Sequence, residues 1–314
     1  MPVEKLSGQF TYDEIYMELW EMAQRYSAFV NFRVIGNSHD ERMIPMIEIG
    51  KGEQVLFCIS GMTGEERLCV QLLARMVNEY CNLYEKKWEM DNLYQVQELL
   101  DKVRICVIPM ANPDGYEICC KGYRVIRNPV LRQMLRMQDI PYAEYEGNAR
   151  NVTVKTDFPM HTMQKIGDGE MENLYLTGQY SVENETKALM NIFKEYKSVG
   201  MILWGMSGGK IIQYKFQPRI TGITRDRRIA LHLRKMMGYR LESDRGSDNS
   251  DSRRHDYKGN CGQYYAKTVR KPAFLIEIPQ NKGENMSVND KKDGQLLECY
   301  DTLKTIPLEF IFSI

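Results

Sequence analysis

Apolar and polar positions alternate so as to divide the chain into short apolar strands and longer amphipathic helices. Near the start, "YDEIYMELWEMAQRY" spaces Ile15, Leu19 and Met22 as one face of a helix. "FVNFRVIGNS" and "RMIPMIEIG" read as two strands joined by a polar turn at Asn37 to Glu41, and "EQVLFCIS" reads as a third. "EERLCVQLLARMVNEY" sets Leu68, Leu72, Leu73 and Met76 on one side, as a helix packed on a sheet requires. After another helix at "LYQVQELLDK", "VRICVIPMAN" is nearly continuous in apolar residues, the pattern of a strand buried on both faces. "NPDGYE" then reads as a Pro–Asp–Gly turn, followed by a short helix at "RNPVLRQMLRM".

Residues 139 to 182 are irregular and rich in polar residues and glycine, which in a large α/β chain predicts surface loops around a site. "ENETKALMNIFKEY" is a helix whose acidic first turn suits the helix dipole. "VGMILWGMSGGKIIQY" predicts strand, glycine turn and strand, and "RDRRIALHLRKMMGY" a helix. The polar loop "RGSDNSDSRR" precedes "GQYYAKTV", which opens the last major helix before the strand "PAFLIEIP". There is no internal repeat or long linker, so a single α/β domain over 1–314 is expected.

Charge narrows the partners. Lys plus Arg and Asp plus Glu both number 42, and a net charge of zero argues against a phosphate-backbone partner. The start, "MPVEKLSGQF", lacks a basic region followed by an apolar one, so no secretory signal is expected. No apolar run reaches the ~18 to 20 residues of a membrane span. Eight cysteines are scattered without a C-x-x-C pair, and Cys58, Cys69 and Cys106 fall inside apolar patterns. Free buried thiols and a cytoplasmic location are the expectation, with no thiolate zinc site. Oligomeric state is not legible.

Candidate chemistry is sparse. "GMTGEE" and "SGGK" lack the Walker pattern, which sets phosphate binding aside. Of the four histidines, His39 lies in a polar turn where exposure is expected, and His232 reads as a packing or surface residue of a helix. His161 has no neighbour at ligand spacing; His255, in the polar loop before the last strand, is the one that could serve a site. Glu66 opens a helix, where an acidic side chain is favoured without any catalytic purpose. Glu277 interrupts the apolar strand "AFLIEIP"; buried, ionised and unpaired it would cost several kcal/mol, so it either faces a polar side or is functional.

Seven collinear segments carry a resemblance. "IGNSHDERMIPMIEIG", "ISGMTGEE", "IPMANPDGYE", "YEGNARNVTVKTDFP", "YSVENETKAL", "WGMSGGKIIQY" and "RKPAFLIEIP" resemble, in order, segments of the zinc carboxypeptidase family of the carboxypeptidase A fold. The bacterial branch that cleaves γ-D-glutamyl-diaminopimelate bonds in peptidoglycan peptides is the most similar. The resemblance implies a mixed, mostly parallel eight-stranded sheet with helices on both faces, a phosphorylase/hydrolase-type α/β architecture, with a cleft at the carboxyl ends of the central strands. It also places the family's site residues. The first zinc histidine falls on Thr63, the glutamate ligand on Glu66 and the second histidine on Met206. The Asn–Arg pair that grips a substrate carboxylate falls on Lys155 and Thr156. Arg150 matches an arginine implied to polarise the scissile carbonyl, Glu277 the general base, and Tyr257 the mobile tyrosine.

A catalytic zinc takes three nitrogen, sulfur or carboxylate ligands and keeps a position open for water. A threonine hydroxyl and a thioether are poor substitutes, and without the metal water is not activated at neutral pH. Two readings follow. One is a non-catalytic relative that binds a peptide, a peptidoglycan fragment or a partner in the old cleft, with no cofactor. The other is a metallocarboxypeptidase with a rebuilt zinc site, recruiting His255 or His161 beside Glu66.

Overall fold

A computed structural model of the chain describes residues 10–159, 163–166, 170–173, 182–206, 209–242, 258–279 and 289–314. The main sheet has eight strands: β1 (Val30–Asn37), β2 (Met43–Ile49), β3 (Gln54–Ile59), β4 (Val103–Ile108), β5 (Ser198–Met206), β6 (Ile211–Gln213), β7 (Arg240–Leu241) and β8 (Ala273–Ile278). Their order across the sheet is β1-β2-β4-β3-β5-β8-β6-β7. The centre, β4-β3-β5-β8, is parallel throughout. Antiparallel pairings join β1 to β2, β2 to β4 and β6 to β8, and β7 runs parallel to β6 at the edge. The mixed, mostly parallel sheet expected from the sequence is the sheet observed.

Strand alternation supplies two cores, one on each face. On one face Leu56, Cys58, Ile202, Trp204, Phe274 and Ile276 pack under α1 (Tyr12–Arg25), α2 (Arg67–Lys86), α3 (Val96–Lys102) and two later helices. On the other, Phe57, Ile59, Leu203 and Leu275 meet α6 (Asn184–Glu195) and α8 (Cys261–Thr268) through Leu189, Phe193 and Tyr265. Burial on both sides is why β3, β4, β5 and β8 read as continuous apolar runs. Cys58, Cys69 and Cys106 are buried thiols outside any disulfide, as expected.

One expectation needs correction and one helix carried no signal. "NPDGYE" is not a free turn: it is the first turn of α4 (Pro113–Lys121). Asn112 caps that helix, its Oδ1 accepting from the Gly115 N–H at 2.9 Å, and Pro113 takes the first position, where no N–H is required. The helix expected before β8 is present as Cys261–Thr268, and a longer one that the sequence did not signal follows the strand. This α9 (Asn289–Phe312) packs Leu303, Ile306, Leu308 and Phe310 onto the first core alongside α7 (Ile220–Met237). Its polar first half and internal Pro307 hide its periodicity in the sequence. The remaining helix, α5 (Pro129–Arg136), lies where "RNPVLRQMLRM" predicts it.

Candidate functional site

The carboxyl ends of β3 and β4 are zipped together before the chain leaves the sheet. Ser60 donates its N–H to Ile108 O at 3.0 Å, Ala111 to Ser60 O at 3.0 Å and Asn112 to Gly61 O at 2.7 Å. Gly61 has φ +61, and a Cβ there would lie 2.8 Å from Pro109 O, so only glycine makes this turn without strain. The turn delivers Glu66 to the start of α2. Glu66 stands at the N-terminus of α2, where a negative charge is favoured, but its side chain makes no capping hydrogen bond to that helix. It reaches back instead, Oε2 accepting from the Met62 N–H at 3.0 Å, while Oε1 faces Lys155 Nζ at 3.5 Å. Glu66 is 2% exposed. Burial raises its pKa, opposed by the Lys155 charge and by backbone N–H groups of the turn.

Lys155 is held over Glu66 by its neighbours. Val154 is buried in the second core, and Asp157 Oδ2 accepts from Glu183 N at 2.7 Å and Thr186 Oγ1 at 2.9 Å, tying the short turn 154–156 to the start of α6. The floor beneath both charges is Gly205 of β5. A Cβ on it would stand 3.4 Å from Glu66 Oε1 and 3.4 Å from Lys155 Nζ. Directly across the parallel register from Gly205 lies Glu277 of β8. Glu277 is buried on the same face as Leu275, and its Oε1 accepts from Gln213 Nε2 of β6 at 3.0 Å. The polar side that strand alternation demanded is therefore supplied by Gln213, a residue that carries no sequence signal of its own.

The other positions behave differently. Thr63 is buried, and its Oγ1 has no hydrogen-bond partner among the described residues. Met206 is half-buried and packs its thioether side chain against the first core. Thr156 is exposed, its hydroxyl donating to Thr153 O at 3.4 Å. Arg150 is half-exposed and pairs with Glu183 at 3.2 Å. His161, His255 and Tyr257 lie outside the described residues.

A zinc ion does not fit this donor set. Thr63 offers a neutral hydroxyl, Met206 is committed to an apolar core, and both Glu66 oxygens already face an N–H and an ammonium. A metal at Oε1 would sit against the Lys155 charge. Among the described residues no three His, Cys, Asp or Glu side chains are grouped so as to hold a metal ion.

A second polar cluster lies beside this site. Arg42 Nη1 donates to Asp40 Oδ2 and Asp114 Oδ1, both at 2.8 Å, and Ser38 Oγ donates to Asp114 Oδ1 at 2.6 Å. His39 keeps a partly exposed side chain, with Nδ1 3.9 Å from Glu183 Oε2, while its backbone N–H donates to Glu185 Oε1 at 3.0 Å. Asn148 Nδ2 donates to Glu183 Oε2 at 3.0 Å, and Asn148 Oδ1 accepts from Arg150 N at 2.9 Å. Burial, then the nearby Asp114 charge, pushes the Glu185 carboxyl up to about 7. Four of the segments that carry the resemblance, at 38–42, 112–114, 148–150 and 183–185, thus meet in one buried network that sets the cleft's wall. The sequence showed the segments but not their meeting, because no two are adjacent in the chain.

Comparison with known proteins agrees with this architecture. The family model for zinc carboxypeptidases, peptidase family M14, matches residues 15–291. Carboxypeptidase B of Astacus astacus is 27% identical over 108 residues, covering 33% of this chain and 33% of that protein. The human carboxypeptidase N catalytic chain is 22% identical over 239 residues, covering 68% and 46% respectively. The chain therefore spans less than half the length of these curated relatives. Among solved structures, bovine thrombin-activatable fibrinolysis inhibitor, in complex with tick carboxypeptidase inhibitor, superposes with a TM-score of 0.64 at 15% identity over 97% of each chain. A metallo-carboxypeptidase from Burkholderia cenocepacia gives 0.62 at 10% identity, over 96% of this chain and 70% of that one. With the central parallel strands, the β3–α2 turn and a matching family model over most of its length, the chain belongs to the zinc carboxypeptidase family.

Proposed function

We propose that the protein is a non-catalytic member of this family that binds a peptide or a protein partner in the cleft where its relatives carry zinc. One observation carries the reading: Glu66, the one zinc-ligand type retained at its position, is paired with Lys155 rather than left open beside two imidazoles. Thr63 and Met206 supply a hydroxyl and a thioether, neither suited to a catalytic zinc. Glu277 keeps a buried carboxylate at the strand end, but its oxygen is engaged by Gln213 and it has no activated water to deprotonate. A peptide carboxylate or acidic side chain is the chemistry that Lys155, 27% exposed in its side chain, would attract as a point charge.

The test is metal content by mass spectrometry after purification in zinc-supplemented medium, with Glu66→Gln as control. The expected result is no stoichiometric zinc in either protein and no hydrolysis of a γ-D-glutamyl-diaminopimelate tripeptide. About one zinc per chain, lost in the control, would overturn the proposal and establish a rebuilt site.

A further inference from the structure

We propose that Lys155 is the resident cation of the cleft: its ammonium provides, from within the chain, the positive charge beside Glu66 that a bound metal would otherwise provide. This rests on the non-catalytic reading above and goes further, because it says what replaced the metal. Three observations support it. Glu66 is almost completely buried, and a buried carboxylate without a compensating charge costs several kcal/mol. Lys155 Nζ stands 3.5 Å from Glu66 Oε1, and its side chain is half-buried. Gly205 of the strand beneath brings both charged atoms onto one floor, since a Cβ there would lie 3.4 Å from each, in ordinary van der Waals contact.

The turn that carries Lys155 is fixed for the same purpose. Val154 on one side is buried in the second core, and Asp157 on the other accepts two hydrogen bonds from the first turn of α6. The ammonium therefore cannot leave Glu66 by a loop movement without breaking that attachment. The orphaned Thr63 hydroxyl lies on the same turn as Glu66 and binds neither charge. A cation delivered by a tethered side chain needs no further ligands from Thr63 or Met206. The simultaneous absence of both imidazoles then follows from one cause.

A double-substitution cycle tests this in the full chain. Lys155→Met should lower the melting temperature by roughly 5 °C or more, because it strands a buried carboxylate. Lys155→Met combined with Glu66→Gln should recover most of that loss, since the carboxylate that needed the cation is gone. Lys155→Arg, which keeps the charge, should fall less than Lys155→Met. If the losses in the double variant simply add, Lys155 does not compensate Glu66 and the inference is wrong. Zinc analysis of the unaltered protein is run in parallel to separate the two claims. Bound zinc there would sink the non-catalytic reading and this inference with it, whereas additive losses in zinc-free protein would sink this inference alone.

Discussion

Glu185 gives the sharpest quantitative prediction, because its whole environment is visible. It lies in the first turn of α6, fully buried, with Asp114 and Glu183 as neighbouring acids, His39 N–H as a donor and Arg42 paired to Asp114. Burial is the main reason its pKa rises from the usual 4.5 to about 7, with Asp114 adding to it and backbone N–H groups opposing. A raised acid binds its proton more tightly in the folded chain than in the unfolded one. Its contribution to stability is therefore fully present below pH 4.5 and is lost as pH rises to about 7. The shift of 7 − 4.5 = 2.5 corresponds to about 3 kcal/mol at 1.36 kcal/mol per unit.

Glu185→Gln removes the titration while its amide oxygen can still accept from His39 N–H. Its amide nitrogen would face Asn148 Nδ2, a donor against a donor, and that penalty is the same at every pH. The quantity to measure is the difference in unfolding free energy between variant and wild type, from guanidinium titrations at pH 5 and pH 8. Titrating groups not coupled to Glu185 cancel in that difference; Asp114 and Glu183 are coupled to it, so the change reports the acidic cluster around Glu185. Because pH 5 already lies above 4.5, part of the change has occurred there, and the variant should gain about 2.5 kcal/mol on wild type between the two pH values. Parallel stability profiles, with the difference unchanged from pH 5 to pH 8, would refute the assignment of a raised pKa to Glu185.

Other predictions test the frame that holds the cleft. Asn112→Ala should destabilise by about 1–3 kcal/mol in the same titration, because it removes the α4 cap and its donation to Gly147 O at 3.1 Å. An unchanged denaturation midpoint would show that the cap is not structural. Gly200→Ala, where a Cβ would lie 2.4 Å from Phe310 Cζ, should cost about 1–3 kcal/mol by overpacking. Adding Phe310→Leu should return part of that loss, and failure to do so would mean that α9 is not seated where the structure puts it. If the proposed function holds, dialysis against a strong chelator should leave the melting temperature of the wild type unchanged; a downward shift would contradict it.

The outcome at individual residues shows where sequence is informative. Period-two alternation and unbroken apolar runs are local, so β1 to β5, α1 and α2 could be read directly, as could the buried thiols Cys58, Cys69 and Cys106. The ordered motifs likewise place Thr63, Glu66 and Glu277 on strand ends and turns. Where local signals were ambiguous the reading erred. Pro–Asp–Gly serves equally as a turn or as the first turn of a capped helix, and only the Asn112 cap against Gly115 N–H decides which. The periodicity of α9 is masked by Pro307 and by polar residues.

What the sequence alone determined is the family scaffold, a property of residue identity and order. What the tertiary structure decided is how charge is balanced in the cleft. That Lys155 meets Glu66 across 89 positions, that Gln213 pairs with Glu277, and that Glu185 is buried beside Asp114 all depend on distance through space. Electrostatic energies follow separation and burial, and neither is written in the spacing of residues along the chain.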